Sequence, residues 1–370
     1  MTMPLINDGT FFFPGPTEVR AEVLHAMTQP MVAHRGAYFE AVYERMQHAL
    51  QHIFGTTRPV YVSSSSATGL MEAGVRAAPV GRVLSVVNGA FSARFAAIAR
   101  ACAREIDVID VPWGETVDFE MLSSLLRSKR YAAVTVVHSE TSTGVLTDVR
   151  AVTRMAHEHG AVCLVDSVTG IGGAELRFDE WELDYALTGS QKALALPPGL
   201  SFAAAAPAFI EGARTVPGRG LYFDLVEFDA YALKNQTPNT PAIPLFFAGD
   251  VQLSAIASEG MTSRWARHSA MAMRTHAWVD SLAARHGGGI RVVAHAGQRS
   301  PSVTSVTLPD GLTSSTLLRA IASRGFTIGS GYGKNKDATV RVGHMGDHTL
   351  AGLERCLQAC DAAFAEVLGS

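Results

Sequence analysis

The sequence predicts an α/β protein, with a large domain on a mainly parallel sheet followed by a smaller C-terminal α+β domain. Three observations carry this expectation. Between about residues 58 and 210, short β-branched runs alternate with longer amphipathic stretches. Several of those runs are apolar on both faces. Past residue 210 the alternation gives way to a loop-rich segment and one long helical stretch. Parallel strands need crossover connections, usually helical, and strands covered on both faces read as continuous apolar runs. The length suits two domains, because 370 residues exceed the size at which a single core keeps growing.

Taken in order, the strand runs are Val60–Ser63, Arg82–Val87, Ile106–Asp110, Ala132–Val137, Ala161–Val165, Tyr185–Thr188 and Leu200–Ala203. Helical stretches fill the intervals at Gly69–Arg76, Phe91–Ala103, Asp118–Arg127 and Asp148–His159, and Gly160 suits the C′ position that ends the last of them. The most apolar stretch, Ala193–Ile210, carries no charge but contains Pro197, Pro198, Gly199 and Pro207. A spanning helix needs about 20 apolar residues and an unbroken hydrogen-bond ladder, so this stretch is expected to be a loop feeding a buried strand. A loop-rich segment to about 242 precedes a long helix over roughly 262–286. Strands near 302–308 and 339–342 and helices at about 313–324 and 347–366 complete the chain. The expected division is therefore 1–261 for the N-terminal segment and large domain, and 262–370 for the small one.

Composition narrows the function. The 31 Lys+Arg residues face 34 Asp+Glu, a formal charge of −3 spread thinly, which excludes a basic nucleic-acid footprint or a polybasic membrane anchor. Hydrophobic residues at 47% exclude a disordered chain. The opening MTMPLINDGTFFFPGP has Asp8 and no basic residue before its apolar run, unlike an export signal. With four scattered cysteines, a reducing cytoplasm is the expected compartment. Cys356 and Cys360, four apart without a neighbouring His pair, are read as buried apolar side chains, and no metal is expected.

Ligands of open α/β sheets bind beyond the carboxyl ends of the strands. Asp166 closes the run AVCLVD, and Lys192 follows the run DYALTGSQK, leaving room between them for one turn and one further strand. Both can reach one crevice. A lysine and a carboxylate so placed suit pyridoxal 5′-phosphate: the lysine forms the Schiff base, and the acid pairs with the protonated pyridine nitrogen. By themselves the two residues also look like a surface lysine and an ordinary strand-end aspartate. The run Ser63-Ser-Ser-Ser-Ala-Thr68-Gly69 adds a serine-rich turn opening a helix, where free amides and a positive dipole suit a phosphate. Arg341, in the apolar run Val340-Arg-Val-Gly-His344, has the planar fork that suits a carboxylate, and an edge-strand arginine is the competing reading. Gly329-Ser-Gly-Tyr-Gly-Lys334-Asn335 lacks P-loop glycine spacing and the terminal Ser/Thr. Gly170-Ile-Gly-Gly173 lacks the full dinucleotide fingerprint. His48 and His52 share a helix face without a third metal ligand.

The chain resembles the class V, fold-type I PLP-dependent aminotransferases, in particular their alanine–glyoxylate and serine–pyruvate branch. The segments that carry the resemblance are FFFPGPTEV, SSSATGLMEA, VNGAFSARF, HSETSTGVL, LVDSVTGIGG, GSQKAL, QTPNTPAIP and TVRVGHMGD, in family order from about residue 11 to 347. The resemblance implies the PLP-transferase fold type I. It makes Lys192 the catalytic Schiff-base lysine and Asp166 the pyridine-nitrogen partner. Ser66, Ala67, Thr68 and Gln191 fall at the phosphate, Phe91 and Val168 on the two ring faces, and Thr141 near the ring hydroxyl. Thr237 and Thr240 correspond to a loop reaching the neighbouring subunit's phosphate, which implies a homodimer with a shared site. Gly15, Thr141 and Arg341 fall at the substrate.

The implied reaction is ping-pong transamination from a small L-amino acid to glyoxylate or pyruvate, with Lys192 moving the proton. No second arginine is placed for a distal carboxylate, which favours alanine or serine as donor. A cysteine desulfurase-like or other PLP lyase of the same fold is the nearest alternative, although such enzymes are expected to carry a histidine where Phe91 stands. A non-catalytic PLP-binding protein is a further one, but no DNA-binding segment is appended.

Overall fold

A computed structural model describes residues 9–287 and 289–369; residues 1–8, where the export-signal reading partly falls, lie outside the described residues. The strands are β1 Phe11–Phe12, β2 Val60–Ser63, β3 Val83–Val87, β4 Ile106–Asp110, β5 Ala133–Val137, β6 Ser139–Glu140, β7 Val145–Leu146, β8 Val162–Asp166, β9 Tyr185–Gly189, β10 Ser201–Ala205, β11 Val303–Thr307, β12 Thr327–Ser330 and β13 Thr339–Gly343. The seven runs read from the sequence form one sheet in the order β2-β10-β9-β8-β5-β3-β4. β5, β8 and β9 are buried at almost every position, as strands covered on both faces must be.

Pairing is parallel from β4 through β3, β5 and β8 to β9, whereas β10 runs antiparallel to both of its neighbours. The connection 190–200 holds no helix and is too short for a crossover, so β10 must reverse direction. This reversal positions the site. Ser201, at the start of β10, pairs with Ser63 on one side and Gly189 on the other. The carboxyl ends of β2 and β9 therefore meet at one sheet edge, beside Asp166 at the end of β8.

The second sheet has the order β1-β12-β13-β11, with β13 antiparallel to both neighbours. A separate core covers it, including Trp278, Val340, Val342, Leu353 and Phe364. Phe11 and Phe12 pair with Thr327 and Ile328, so the N-terminal segment contributes an edge strand to this sheet. Cys356 and Cys360 are buried in the same core. Among the described residues no three His, Cys, Asp or Glu side chains group as metal ligands, and no helix is long and apolar enough to cross a membrane.

The stretch after residue 205 is more helical than its sequence suggests. Helices Pro207–Ala213 and Leu225–Ala232 lie in the loop-rich region. Helix Ile243–Glu259 packs against helix Ala37–Phe54 and is followed, at Gly260 with φ +77°, by the long helix Met261–His286. The run IPLFFAGDVQLSAIASE is apolar on several faces, so it lacks the single stripe that reveals a surface helix.

Candidate active site

A cavity of about 390 Å³ opens at the sheet edge where β2, β8 and β9 end. Gly15, Ser66, Ala67, Thr68, Phe91, Thr141, Asp166, Val168, Gln191 and Lys192 all line it, which brings together ten residues picked from the sequence. Asp166 is the last residue of β8; Lys192 stands three residues beyond β9, in a turn that closes on itself through Ala195 N donating to Lys192 O at 2.8 Å. The N-terminal segment crosses over this turn. Thr17 Oγ1 donates to the Lys192 carbonyl at 3.0 Å, and the Lys192 amine donates to the Pro14 carbonyl. Gly15, at φ +107°, leaves no room for a Cβ against the Lys192 side chain, so only glycine lets the backbone pass this close.

Burial dominates the electrostatics. It pushes the Lys192 amine from 10.5 down to about 7, helped by the nearby Arg341 guanidinium and opposed by Asp166 and Glu140. Burial raises the Asp166 carboxyl from 3.8 to about 7, against the Val168 amide that donates to it at 2.8 Å. That amide is its one hydrogen-bond donor among the described residues. Lys192 and Arg94 pull the carboxyl down only weakly, and no cation among the described residues bonds it directly.

Also on the cavity wall, Ser66 occupies the N-cap position of the helix Ala67–Ala77. The other serines of the run are engaged: Ser65 Oγ meets Ser63 Oγ at 2.9 Å and Ser201 Oγ at 3.0 Å, and Ser64 Oγ accepts from the Ala242 amide at 2.9 Å. The Ser66 hydroxyl accepts no capping bond from its own helix and, with Ala67 and Thr68, faces the cavity. A phosphate-sized anion at this helix start would meet free amides and two uncommitted hydroxyls.

Glu140, in the quoted HSETSTG segment but not singled out from sequence, organises the wall. It is fully buried and accepts from the amides of Phe91 at 3.1 Å, Ser92 at 2.9 Å and Ser142 at 3.1 Å, and from the Ser142 hydroxyl at 2.7 Å. A carboxylate from a distant hairpin thus caps the helix Ala90–Ala101 and fixes Phe91 in its first turn. The Lys192 nitrogen is 5.9 Å from the centre of the Phe91 ring. Thr141 Oγ1 pairs with Thr169 Oγ1 at 2.5 Å, and His138 Nδ1 with Ser167 Oγ at 2.9 Å.

Arg341, on β13 of the second sheet, is not part of this cavity wall and adjoins it through Thr141, which is. Its Nε donates to Ser330 O at 2.8 Å and its Nη1 to Thr141 O at 3.2 Å, and burial lowers its ordinary 12.5 to about 10. Thr237 and Thr240 do not enter the cavity of their own chain. They line a separate cleft with Ser63, Ser64 and Tyr222, and Thr237 Oγ1 donates to Asn239 O at 2.7 Å. Arg35 is bound to the same loop, donating to Thr237 O at 2.7 Å. Arg94, which sequence reasoning passed over, lines the cavity instead. The four cysteines all lie outside its wall.

Residues 11–344 match the aminotransferase class-V family. The serine–glyoxylate aminotransferase of Arabidopsis thaliana is 30% identical, over 97% of this chain and 92% of its own. The L-aspartate–glyoxylate aminotransferase of Paracoccus denitrificans is 29% identical, over 94% and 89%. The crystal structure of an alanine–glyoxylate aminotransferase from Nostoc sp. superposes with a TM-score of 0.89 at 28% identity, covering 98% of this chain and 97% of that one. A buried lysine and aspartate that share a cavity wall with a helix N-terminus, in a fold and sequence shared along almost the whole chain, make this protein a transaminase that belongs to the class-V aminotransferase family.

Proposed function

We propose that the protein is a PLP-dependent transaminase that transfers the amino group of a small L-amino acid, alanine or serine, to glyoxylate or pyruvate by a ping-pong mechanism. The observation that carries this reading is the shared cavity of Lys192 and Asp166, whose wall also includes a helix N-terminus without a side-chain cap. Their donor set fits the cofactor. Among the described residues no cation bonds Asp166 directly, and Lys192 and Arg94 only attract its charge from a distance; a protonated pyridine nitrogen would supply the direct partner and draw the carboxyl back to its ionised form. Ser66, Ala67, Thr68 and Gln191 would hold the phosphate, with Phe91 and Val168 on the ring faces and Thr141 at the ring hydroxyl. When bound, PLP supplies an electron sink for the substrate α-carbon.

The chain's own groups supply the remainder. With its amine down at about 7, Lys192 is substantially neutral near neutral pH and can take and return the α-proton. Arg341 receives the α-carboxylate on the part of its fork not used by Ser330 and Thr141, with Gly15 beside it. None of the cysteines reaches the cavity, and burial drives Cys163 up to about 12, which argues against desulfurase chemistry. One observation favours a second donor class: Arg94 places a further cation on the cavity wall, which suits aspartate. A matrix of alanine, serine, aspartate and glutamate against glyoxylate and pyruvate tests both readings. Preference for alanine or serine supports the first, preference for aspartate the second, and no amino-group transfer from any donor overturns both.

The reading extends to assembly. We place the domain boundary between residues 261 and 262, at the start of the long helix Met261–His286, and the protein in the cytoplasm. Thr237 and Thr240, held outside their own cavity, would complete a partner subunit's phosphate site in a homodimer, and the exposed Leu221, Tyr222 and Leu233 near that loop suit burial in an interface. Dilution to monomer, followed by analytical ultracentrifugation, should release cofactor and abolish activity. Full retention of both in the monomer contradicts the shared site.

A further inference from the structure

The run Gly329–Asn335, which fails as a phosphate loop, ends β12 and continues into a tight turn that packs on Phe91 of the cavity wall. Gly331 has no room for a Cβ against Asn335 O and Thr339 Oγ1, and at Gly333, with φ +58°, an added Cβ would lie 3.1 Å from the Trp113 ring. The turn presents two groups to Arg341. The Ser330 carbonyl accepts its Nε at 2.8 Å, and the Tyr332 ring lies under its guanidinium, 5.5 Å from ring centre to Cζ. The same Tyr332 ring stacks on Phe91, at 5.2 Å between centres and 23° between planes, and its hydroxyl accepts from Arg94 Nη2 at 3.3 Å. Tyr332 thus spans the two sheets, with Arg341 of β13 on one side and the first turn of helix Ala90–Ala101 on the other.

We propose that Tyr332 is a positioning residue for the carboxylate clamp, holding the Arg341 fork against the Phe91 wall in the orientation that receives the substrate's α-carboxylate. This rests on the reading of Arg341 given above. Arg341 has only two carbonyl acceptors, which fix Nε and Nη1 and leave Nη2 without an acceptor among the described residues. A guanidinium held at one edge can tilt about that edge. An aromatic face beneath it removes the tilt by cation–π attraction, and it does so without consuming the N–H groups that the substrate needs. The Arg94 contact and the Phe91 stack in turn keep the tyrosine ring from turning away.

The test uses the holoenzyme and 2-methylalanine, a probe that has the carboxylate and amino group but no α-proton to lose. Binding is read from the change it causes in cofactor absorbance, independently of turnover. Loss of one cation–π contact corresponds to about tenfold in affinity, so Tyr332→Ala should weaken the probe by about that factor and raise KM for alanine similarly, with kcat changed far less. Tyr332→Phe keeps the ring and should recover most of the lost affinity. Because Tyr332 acts through Arg341, the double variant Arg341→Ala/Tyr332→Ala should bind no more weakly than Arg341→Ala alone. Unchanged affinity in Tyr332→Ala, or additive losses in the double variant, overturns the role of Tyr332 while leaving transamination intact. A Tyr332→Ala variant that loses cofactor absorbance altogether shows a structural role and also overturns it. A wild-type protein whose absorbance responds to no amino acid sinks the transaminase reading and this proposal together.

Discussion

Lys192 combines burial with a nearby guanidinium, and both disfavour its charged form. The sign is that of a lowered amine: neutral above about 7, protonated below it. The rate of amino-group transfer from donor to enzyme should therefore rise with pH through about 7 and level off above it. A half-reaction profile flat from pH 6 to 8.5 contradicts this assignment. Lys192→Ala should cost on the order of 10³-fold in that half-reaction with an unchanged circular dichroism spectrum, if it removes the proton carrier proposed above. On the proposed role of Arg341, Arg341→Ala would leave the substrate acid unpaired in a largely buried site. A charged hydrogen-bonded contact of about 2–3 kcal/mol predicts KM values for donor and oxoacid roughly 30- to 150-fold higher. Steady-state kinetics with both substrates reads this directly.

Among the elements, helix Ala90–Ala101 depends most on a residue outside itself. Its N-cap is Gly89, which has no side chain to offer, and Glu140 takes over the capping from the β6–β7 hairpin. A Cβ at position 89 would collide with that carboxylate, so the glycine and the glutamate require each other. Glu140→Ala strands the buried amides of Phe91, Ser92 and Ser142 and should lower the unfolding free energy by about 2–4 kcal/mol. Urea denaturation checks this, and a midpoint equal to wild type removes Glu140 from that role. Residues 90–101 read as a helix from their own pattern. What starts it does not, because the capping group arrives from forty-eight positions further along the chain. Helix Ile243–Glu259 is the opposite case: its apolar residues spread round the axis, and only the packing around it shows why.

Across the whole molecule, burial sets the acid limit of stability. Burial lowers His138, His276 and His348 to about 4 and His344 to about 3, and takes His268 well below its usual range. Unfolded imidazoles take up protons near 6.5 that these folded sites refuse, so the unfolded state binds more protons and stability falls as pH drops from about 6.5 towards 4. Asp166 and Asp184, shifted upward by burial, work in the opposite direction over part of that window and offset some of the loss. The net effect is carried by the histidines, at about 1.4 kcal/mol per pH unit for each excess proton. Thermal unfolding followed from pH 7 to pH 4.5 should show a steadily falling midpoint, and a constant one would falsify the balance.

Local pattern alone determined the seven strand runs, the alternation that makes the sheet mainly parallel, and Asp166 and Lys192 at strand ends, because alternation and strand-end placement are properties of short segments. The family segments carried ten of the cavity-lining residues for the same reason: each lies inside a short run that keeps its identity wherever it folds. Tertiary structure decided the rest. That β10 reverses and so joins the ends of β2 and β9, that Glu140 caps a remote helix, that Arg94 and Tyr332 meet over Phe91, and that Thr237 and Thr240 stay out of their own cavity all depend on sheet order and on contacts between distant segments. Periodicity records which face of an element is apolar; it holds no record of what that face, or a polar group at its end, will meet across the fold.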